Sequence, residues 1–92
     1  MIMECVLIIV DTPDWRASEA ALRTAFKDSA VTSDHLEHIF LQVQEGLFTL
    51  VLYLSAAGQK EAHAKAEQLC RRALAAVVPQ HVVWMIRLTT VL

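Results

Sequence analysis

The chain has 92 residues, of which 55% are hydrophobic and 20% are charged, and its formal net charge is −2 at neutral pH. This length predicts a single domain over residues 1–92. The weakly acidic balance provides no positive field for nucleic acid or an anionic membrane, so we expect neither as a partner. Two cysteines cannot make a disulfide framework, and no apolar run approaches the roughly 20 residues that span a membrane, which predicts a cytoplasmic protein.

The first predicted element is a strand that is apolar on both faces. Val6–Val10 is an unbroken apolar run, which predicts a central strand of a sheet. Asp11 and Thr12 follow, and threonine before proline is typical of a helix start, so Thr12 is the predicted N-cap and Pro13 the first helical residue. We expect the helix to extend to about Ser29. Its apolar face would contain Trp15, Ala21, Leu22, Ala25 and Phe26.

The next two strands have the pattern of a hairpin. From Leu36 onward, apolar residues alternate with polar ones, which predicts an edge strand with one wetter face. Glu45 and Gly46 form the predicted turn, because glycine tolerates the positive φ of a tight hairpin. The third strand, Leu47–Leu54, is largely apolar on both faces.

A second helix is predicted over Gln59–Val77, where apolar residues recur at helical spacing. Pro79 ends it, because proline cannot continue a helix. On the outer face, acidic residues precede basic residues by four positions, which predicts the ion pairs Glu61–Lys65 and Glu67–Arg71. The small residues of the inner face indicate that this helix packs closely against a sheet.

The fourth strand is predicted from His81 to about Thr90. Its alternation places Trp84 on the face covered by helices, whereas alignment with the second strand by the internal repeat would turn Trp84 outward. We take the first of these phases as the prediction. The inner face would carry Val82, Trp84, Ile86 and Leu88, and the outer face Val83, Met85 and Arg87.

The order strand, helix, strand occurs twice along the chain. Leu50 in the second copy lies 44 residues after Val6 in the first, a period that indicates an internal duplication. Two interleaved βαβ units predict an α+β fold, the ferredoxin-like βαββαβ sandwich. Its four-stranded antiparallel sheet has the order 4-1-3-2, and both helices lie on one face.

Two helices on one face leave the other face of the sheet uncovered. A contiguous apolar surface of this kind favours aggregation in a monomer, and a second copy of the chain is the simplest cover. We therefore predict a homodimer, or a docked partner protein, through the open face. The predicted interface residues are Leu7, Ile9, Phe40, Val51, Tyr53, Val83 and Met85.

No catalytic, phosphate-binding or metal-binding motif is present, so we assign no catalytic residue, cofactor or metal. His35, Glu37 and His38 are close in sequence. Neighbouring strand residues point to opposite faces, so these three side chains cannot converge on one ion from a regular strand. A solvated strand end is the favoured interpretation.

The segment Val10–Trp15, with the sequence VDTPDW, resembles the end of the first strand in the CRISPR spacer-acquisition endonuclease family. That family places an acidic residue at the end of the first strand of the same fold. The resemblance implies a nuclease role for Asp11, with the Asp11 residues of two subunits close together. Capping of the following helix explains Asp11 and Thr12 equally well, and the acidic net charge disfavours DNA binding.

The predicted pairing of sheets also resembles the dimeric α+β barrel group, which includes small monooxygenases and isomerases. This resemblance implies a ligand pocket, for which His38, Gln42 and Arg87 are the candidate binding residues. The leading hypothesis is a non-enzymatic interaction module that self-associates through its sheet. The alternative is a small-molecule enzyme or ligand-binding protein of the dimeric α+β barrel kind, without a cofactor.

Overall fold

Four strands and two helices follow one another in the computed structural model, which describes residues 2–12, 15, 18–30, 36–44 and 47–91. The sheet is antiparallel, and its strands, numbered along the chain, lie in the order 2-3-1-4, which is the predicted order 4-1-3-2 read from the other edge. The predicted turn residues Glu45 and Gly46, and also His35, lie outside the described residues. The elements are β1 Ile2–Val10, α1 Glu19–Ser29, β2 Leu36–Gln44, β3 Leu47–Leu54, α2 Gln59–Val77 and β4 Trp84–Val91.

The core lies between one face of the sheet and the two helices. Residues opposite each other on antiparallel strands share a face, so the register assembles apolar rows across the sheet. One such row joins Leu41, Leu50, Val6 and Leu88 from edge to edge. The helices close over these rows with buried residues of their own: Leu22, Ala25 and Phe26 from α1, and Ala62, Ala66, Leu69, Cys70, Ala73 and Leu74 from α2.

The first helix begins later than the sequence predicts. Its N-cap is Ser18, whose Oγ accepts a hydrogen bond from the N–H of Ala21 at 3.3 Å. The Thr12 hydroxyl instead accepts from the N–H of Val83, and the Thr12 carbonyl accepts from the N–H of Trp15. The predicted N-cap at Thr12 is therefore wrong, because its side chain ties the end of β1 to the segment that enters β4.

The fourth strand begins at Trp84, so the predicted start at His81 is also wrong. The N–H of Val82 donates to the carbonyl of Pro79 at 3.0 Å, and this turn delays the strand. The predicted phase is confirmed, because Trp84 packs on the core side with the Arg71 guanidinium 5.8 Å from its ring centroid. Val83, on the opposite face, is 58% exposed.

Strand β2 is an edge strand, as its alternating pattern predicts. Its register against β3 shifts between Leu36 and His38. Glu37 therefore has no direct partner on β3, which is the arrangement of a β-bulge. Beyond this point, the regular pairing continues from His38 to Gln44.

The predicted ion pairs on α2 are present. Lys65 Nζ lies 2.8 Å from Glu61 Oε1, and Arg71 Nη2 lies 3.5 Å from Glu67 Oε1. The Glu67–Arg71 pair is half-exposed, whereas the Lys65 side chain is only 16% exposed. Spaced by four residues on a helix, each pair contributes only a few tenths of a kcal/mol. Helix α2 is held in place mainly by its buried face.

A matched pair of leucine substitutions tests which face is the core. Leu50→Ala removes a side chain that is fully buried on the helix side, and we expect it to lower the free energy of unfolding by about 2–5 kcal/mol. Leu7→Ala acts on the opposite face, where the side chain is 38% exposed, and we expect about 1 kcal/mol. Urea unfolding at low protein concentration measures both. Equal losses would contradict the assignment of faces.

Candidate interaction surface

The face of the sheet opposite the helices is uncovered by any described element. Four large apolar side chains on or beside it are exposed: Leu7 by 38%, Phe40 by 54%, Val83 by 58% and Met85 by 56%. Ile9, Val51 and Tyr53 are half-buried, because neighbouring strands flank them within the sheet. The structure thus brings all seven predicted interface residues to one side of the molecule.

The register shows how these side chains are arranged. Phe40, Val51, Cys5 and Thr89 form one row that crosses all four strands of the open face. The adjacent row is more polar and consists of Gln42, Thr49, Leu7 and Arg87. The surface therefore combines apolar side chains with polar ones, and Gln42 and Arg87 lie on its two edge strands.

Three rings meet at the β2–β3 corner of this face. The His38 and Phe40 ring centroids are 4.8 Å apart with an interplanar angle of 78°. The Tyr53 centroid lies 6.2 Å from that of His38 and 6.1 Å from that of Phe40. These edge-to-face and tilted arrangements are favourable for aromatic rings and hold the three side chains together.

The candidate ligand-binding residues all lie on the open face but do not form one pocket within a chain. His38 and Gln42 are on the edge strand β2, whereas Arg87 is on the opposite edge strand, β4. Three inter-strand spacings separate these strands, a distance of about 14 Å. A small ligand held by one chain would contact either the β2 pair or Arg87.

Asp11 lies at the end of β1 and is exposed. Its backbone N–H donates to the carbonyl of Val83 at 2.8 Å, so the two segments stay paired beyond the strand ends. Among the described residues, no three His, Cys, Asp or Glu side chains form a metal-binding group. The nuclease interpretation therefore gains no supporting cluster from the described part of the chain.

Sequence reasoning missed the buried carboxylate of Glu4, which lies on the helix side of β1. Glu4 is fully buried, and Thr90 Oγ1 donates a hydrogen bond to its Oε1 at 2.5 Å. The signal was present, because Glu4 occupies the same alternating positions as Val6 and Ile8 on a strand that is otherwise apolar. The residue of α2 that lies near Glu4 is His63. The sequence contains no indication of this contact, because the two residues are far apart along the chain.

The two thiols occupy contrasting environments. Cys70 is buried against the core, and burial, with the Glu67 carboxylate as a smaller cause and Arg71 opposing, raises the pKa of the thiol to about 12. Cys5 is half-buried on the open face, in the row that also contains Phe40, Val51 and Thr89. Reactivity at Cys5 therefore reports on whether that face is covered.

The similarity of this chain to known proteins is limited to its fold. No protein-family model and no curated protein matches the chain. Among solved structures, a dimeric ferredoxin-like protein from an uncultured marine organism superimposes with a TM-score of 0.52 and 12% sequence identity. The match covers 99% of this chain and 93% of that protein. The chain therefore has a ferredoxin-like α+β fold, as predicted.

Within the described residues, neither helix has the length and apolar character needed to cross a bilayer.

Selective alkylation tests the placement of the two thiols. At pH 8, a thiol with a pKa of about 12 is thiolate in only about one molecule in ten thousand. We expect dilute native protein to take up one iodoacetamide, at Cys5, while Cys70 reacts only after unfolding in guanidinium. Intact mass and peptide mapping identify the sites. Equally fast modification of Cys70 in the native protein would contradict its burial.

Proposed function

We propose that the protein is an interaction module that forms a homodimer by packing the open faces of two sheets together. The main support for the proposal is the exposure of several large apolar side chains on this face, among them Leu7, Phe40 and Met85. Large apolar patches on otherwise folded domains are typical of protein interfaces. Covering this patch removes apolar area from water, which stabilises the pair.

The size of the face supports a stable contact. Strands of eight or nine residues, with a rise of ~3.3 Å per residue and a spacing of ~4.8 Å, give a face of roughly 500 Å² in projection. Side chains that stand out from the sheet make its accessible area larger than this projection. The result is comparable to the ~800 Å² that each partner buries in a standard interface.

The charge on this face supports a second copy as the partner. Among the described strand positions that pair across the open face, Arg87 is the one residue with a formal charge. Two identical faces can therefore approach with little repulsion between like charges, and a twofold contact makes the same patch serve both subunits. The dimeric state of the ferredoxin-like protein with a similar fold also supports this proposal.

A lysine placed in the centre of the face tests the dimer. Val51→Lys would bury an unpaired charge between the sheets. We expect it to raise the dissociation constant of the dimer at least about a hundredfold. Sedimentation equilibrium should then show one chain of 10.3 kDa where the wild type shows two. Gln68→Lys, at an exposed position on α2, adds the same charge and should leave the dimer intact.

Cys5 provides an independent measurement of the same contact. If the faces pack together, alkylation of Cys5 slows as wild-type protein concentration rises, whereas the rate in the Val51→Lys variant stays constant. A wild-type chain with the mass of a monomer at several hundred micromolar would refute the proposed dimer. A dimer in which Cys5 remains fully reactive would place the interface elsewhere.

The aromatic cluster favours a second candidate function, a small-molecule binder of the dimeric α+β barrel kind. Face-to-face pairing would enclose His38, Phe40 and Tyr53 between the subunits, and sites of this kind combine apolar walls with a few polar groups. We expect a ligand-observed NMR screen of small aromatic acids to find compounds whose binding is lost in His38→Ala while the dimer mass is unchanged. If the screen finds no such compound, the small-molecule binder is rejected and the interaction module is the remaining candidate function.

A further inference from the structure

The buried carboxylate of Glu4 lies on the side of the sheet away from the proposed interface. It occupies the third position in the row Ile39, Leu52, Glu4 and Thr90, beneath helix α2. Among the described residues, Glu4 is the one charged side chain that is fully buried. This placement is unfavourable, because a carboxylate loses its hydration on burial unless partners replace the water.

The partners in the structure satisfy only half of the carboxylate. Oε1 accepts the hydrogen bond from Thr90, but the buried Oε2 has no hydrogen-bond partner. The nearest cationic candidate is His63 on α2, whose Nδ1 lies 3.8 Å from Oε2. That distance is too long for a hydrogen bond. Buried carboxylate oxygens without a protein partner are satisfied in proteins by a water molecule, a proton or an ion.

His63 connects this oxygen to the surface. Its side chain is 46% exposed and lines a groove of about 540 Å³ along the first half of α2, together with Gln59, Lys60, Ala64 and Glu67. Glu67 follows His63 by four residues, so the two side chains lie on the same face of the helix. A ligand in the groove can therefore meet the imidazole directly, and the Nδ1 of the same imidazole lies near the buried Glu4 carboxylate.

We propose that Glu4 and His63 bind a divalent transition-metal ion of the zinc class. Zinc takes imidazole nitrogen and carboxylate oxygen at about 2.0–2.2 Å. Two donor atoms 3.8 Å apart can both bind one such ion, and the half-exposed imidazole can move to improve the angle. The ion would neutralise the buried carboxylate and use the lone pair of a neutral imidazole, so both groups are satisfied without an added proton.

His63 borders the groove, which is the exposed side of the proposed site. Because no three donors already converge in the described part of the chain, water completes the coordination, or Glu67 turns from Arg71 to supply a third donor. The 3.5 Å separation between Glu67 and Arg71 is that of a loose surface pair, which costs little to break. Such a site would fasten α2 to β1 and leave positions on the metal open to a ligand.

Metal titration of the full-length protein tests this site. After removal of metals with EDTA and of EDTA by gel filtration, ZnCl₂ is titrated by calorimetry and thermal unfolding is followed with and without zinc. We expect micromolar binding and a rise of several degrees in the wild-type midpoint, because a ligand that binds only the folded state stabilises it. CoCl₂ should give visible absorption bands from a protein-bound ion.

Paired histidine variants provide the control. His63→Gln should weaken zinc binding at least tenfold and abolish the cobalt bands, whereas His81→Gln, at another exposed imidazole, should change neither. Glu4→Gln keeps the shape of the side chain and should lose binding as His63→Gln does. If Glu4→Gln fails to fold, the surface variant His63→Gln still decides the question.

Two outcomes would overturn the proposal. Equal zinc binding in wild type and His63→Gln would show an adventitious surface ion. The second outcome is that the wild type binds no zinc. If its stability then depends on pH and His63→Gln loses this dependence, His63 and Glu4 form a simple ion pair. The Val51→Lys variant should bind zinc normally, so failure of the metal site and failure of the dimer are distinguishable.

Discussion

The structure depends on the burial of β1, which has a hydrogen-bonded strand on each side and helix α2 against one face. Val6 and Ile8 are completely removed from water and anchor the rows of the core. A strand in this position satisfies its backbone through β3 and β4, so its side chains can be apolar on both faces. The same property creates the open face, because two helices are enough to cover only one side of a four-stranded sheet.

The two faces of β1 therefore have different consequences. On the helix side, a single carboxylate among apolar residues receives a hydrogen bond from Thr90 at one oxygen, and its other oxygen lies near His63 of α2. On the open side, Leu7 and Cys5 belong to a surface whose apolar area favours contact with another sheet. The proposed metal site and the proposed dimer are thus separate, since the thickness of the sheet lies between them.

Periodicity in the sequence was sufficient to predict the elements and their order, but it left two phases for β4, of which the structure has the one with Trp84 against the core. β3 and α2 have the predicted bounds, because alternation and helical spacing reflect burial directly. The start of α1 was missed because Thr12 uses its hydroxyl in a contact with Val83, which is distant in sequence. The pairing of Glu4 with His63 was missed for the same reason, since local patterns contain no information about which helix residue lies above a strand.

The bulge at Glu37 has a consequence for how copies can add to one another. A regular, unpaired edge strand presents a row of backbone donors and acceptors that can recruit further strands without limit. The shifted register between Leu36 and His38 interrupts that row at one end of β2. The bulged residue is the acidic Glu37, which has no direct partner on β3. Growth by adding strands at this edge is thereby discouraged, whereas contact between two open faces is complete after two chains.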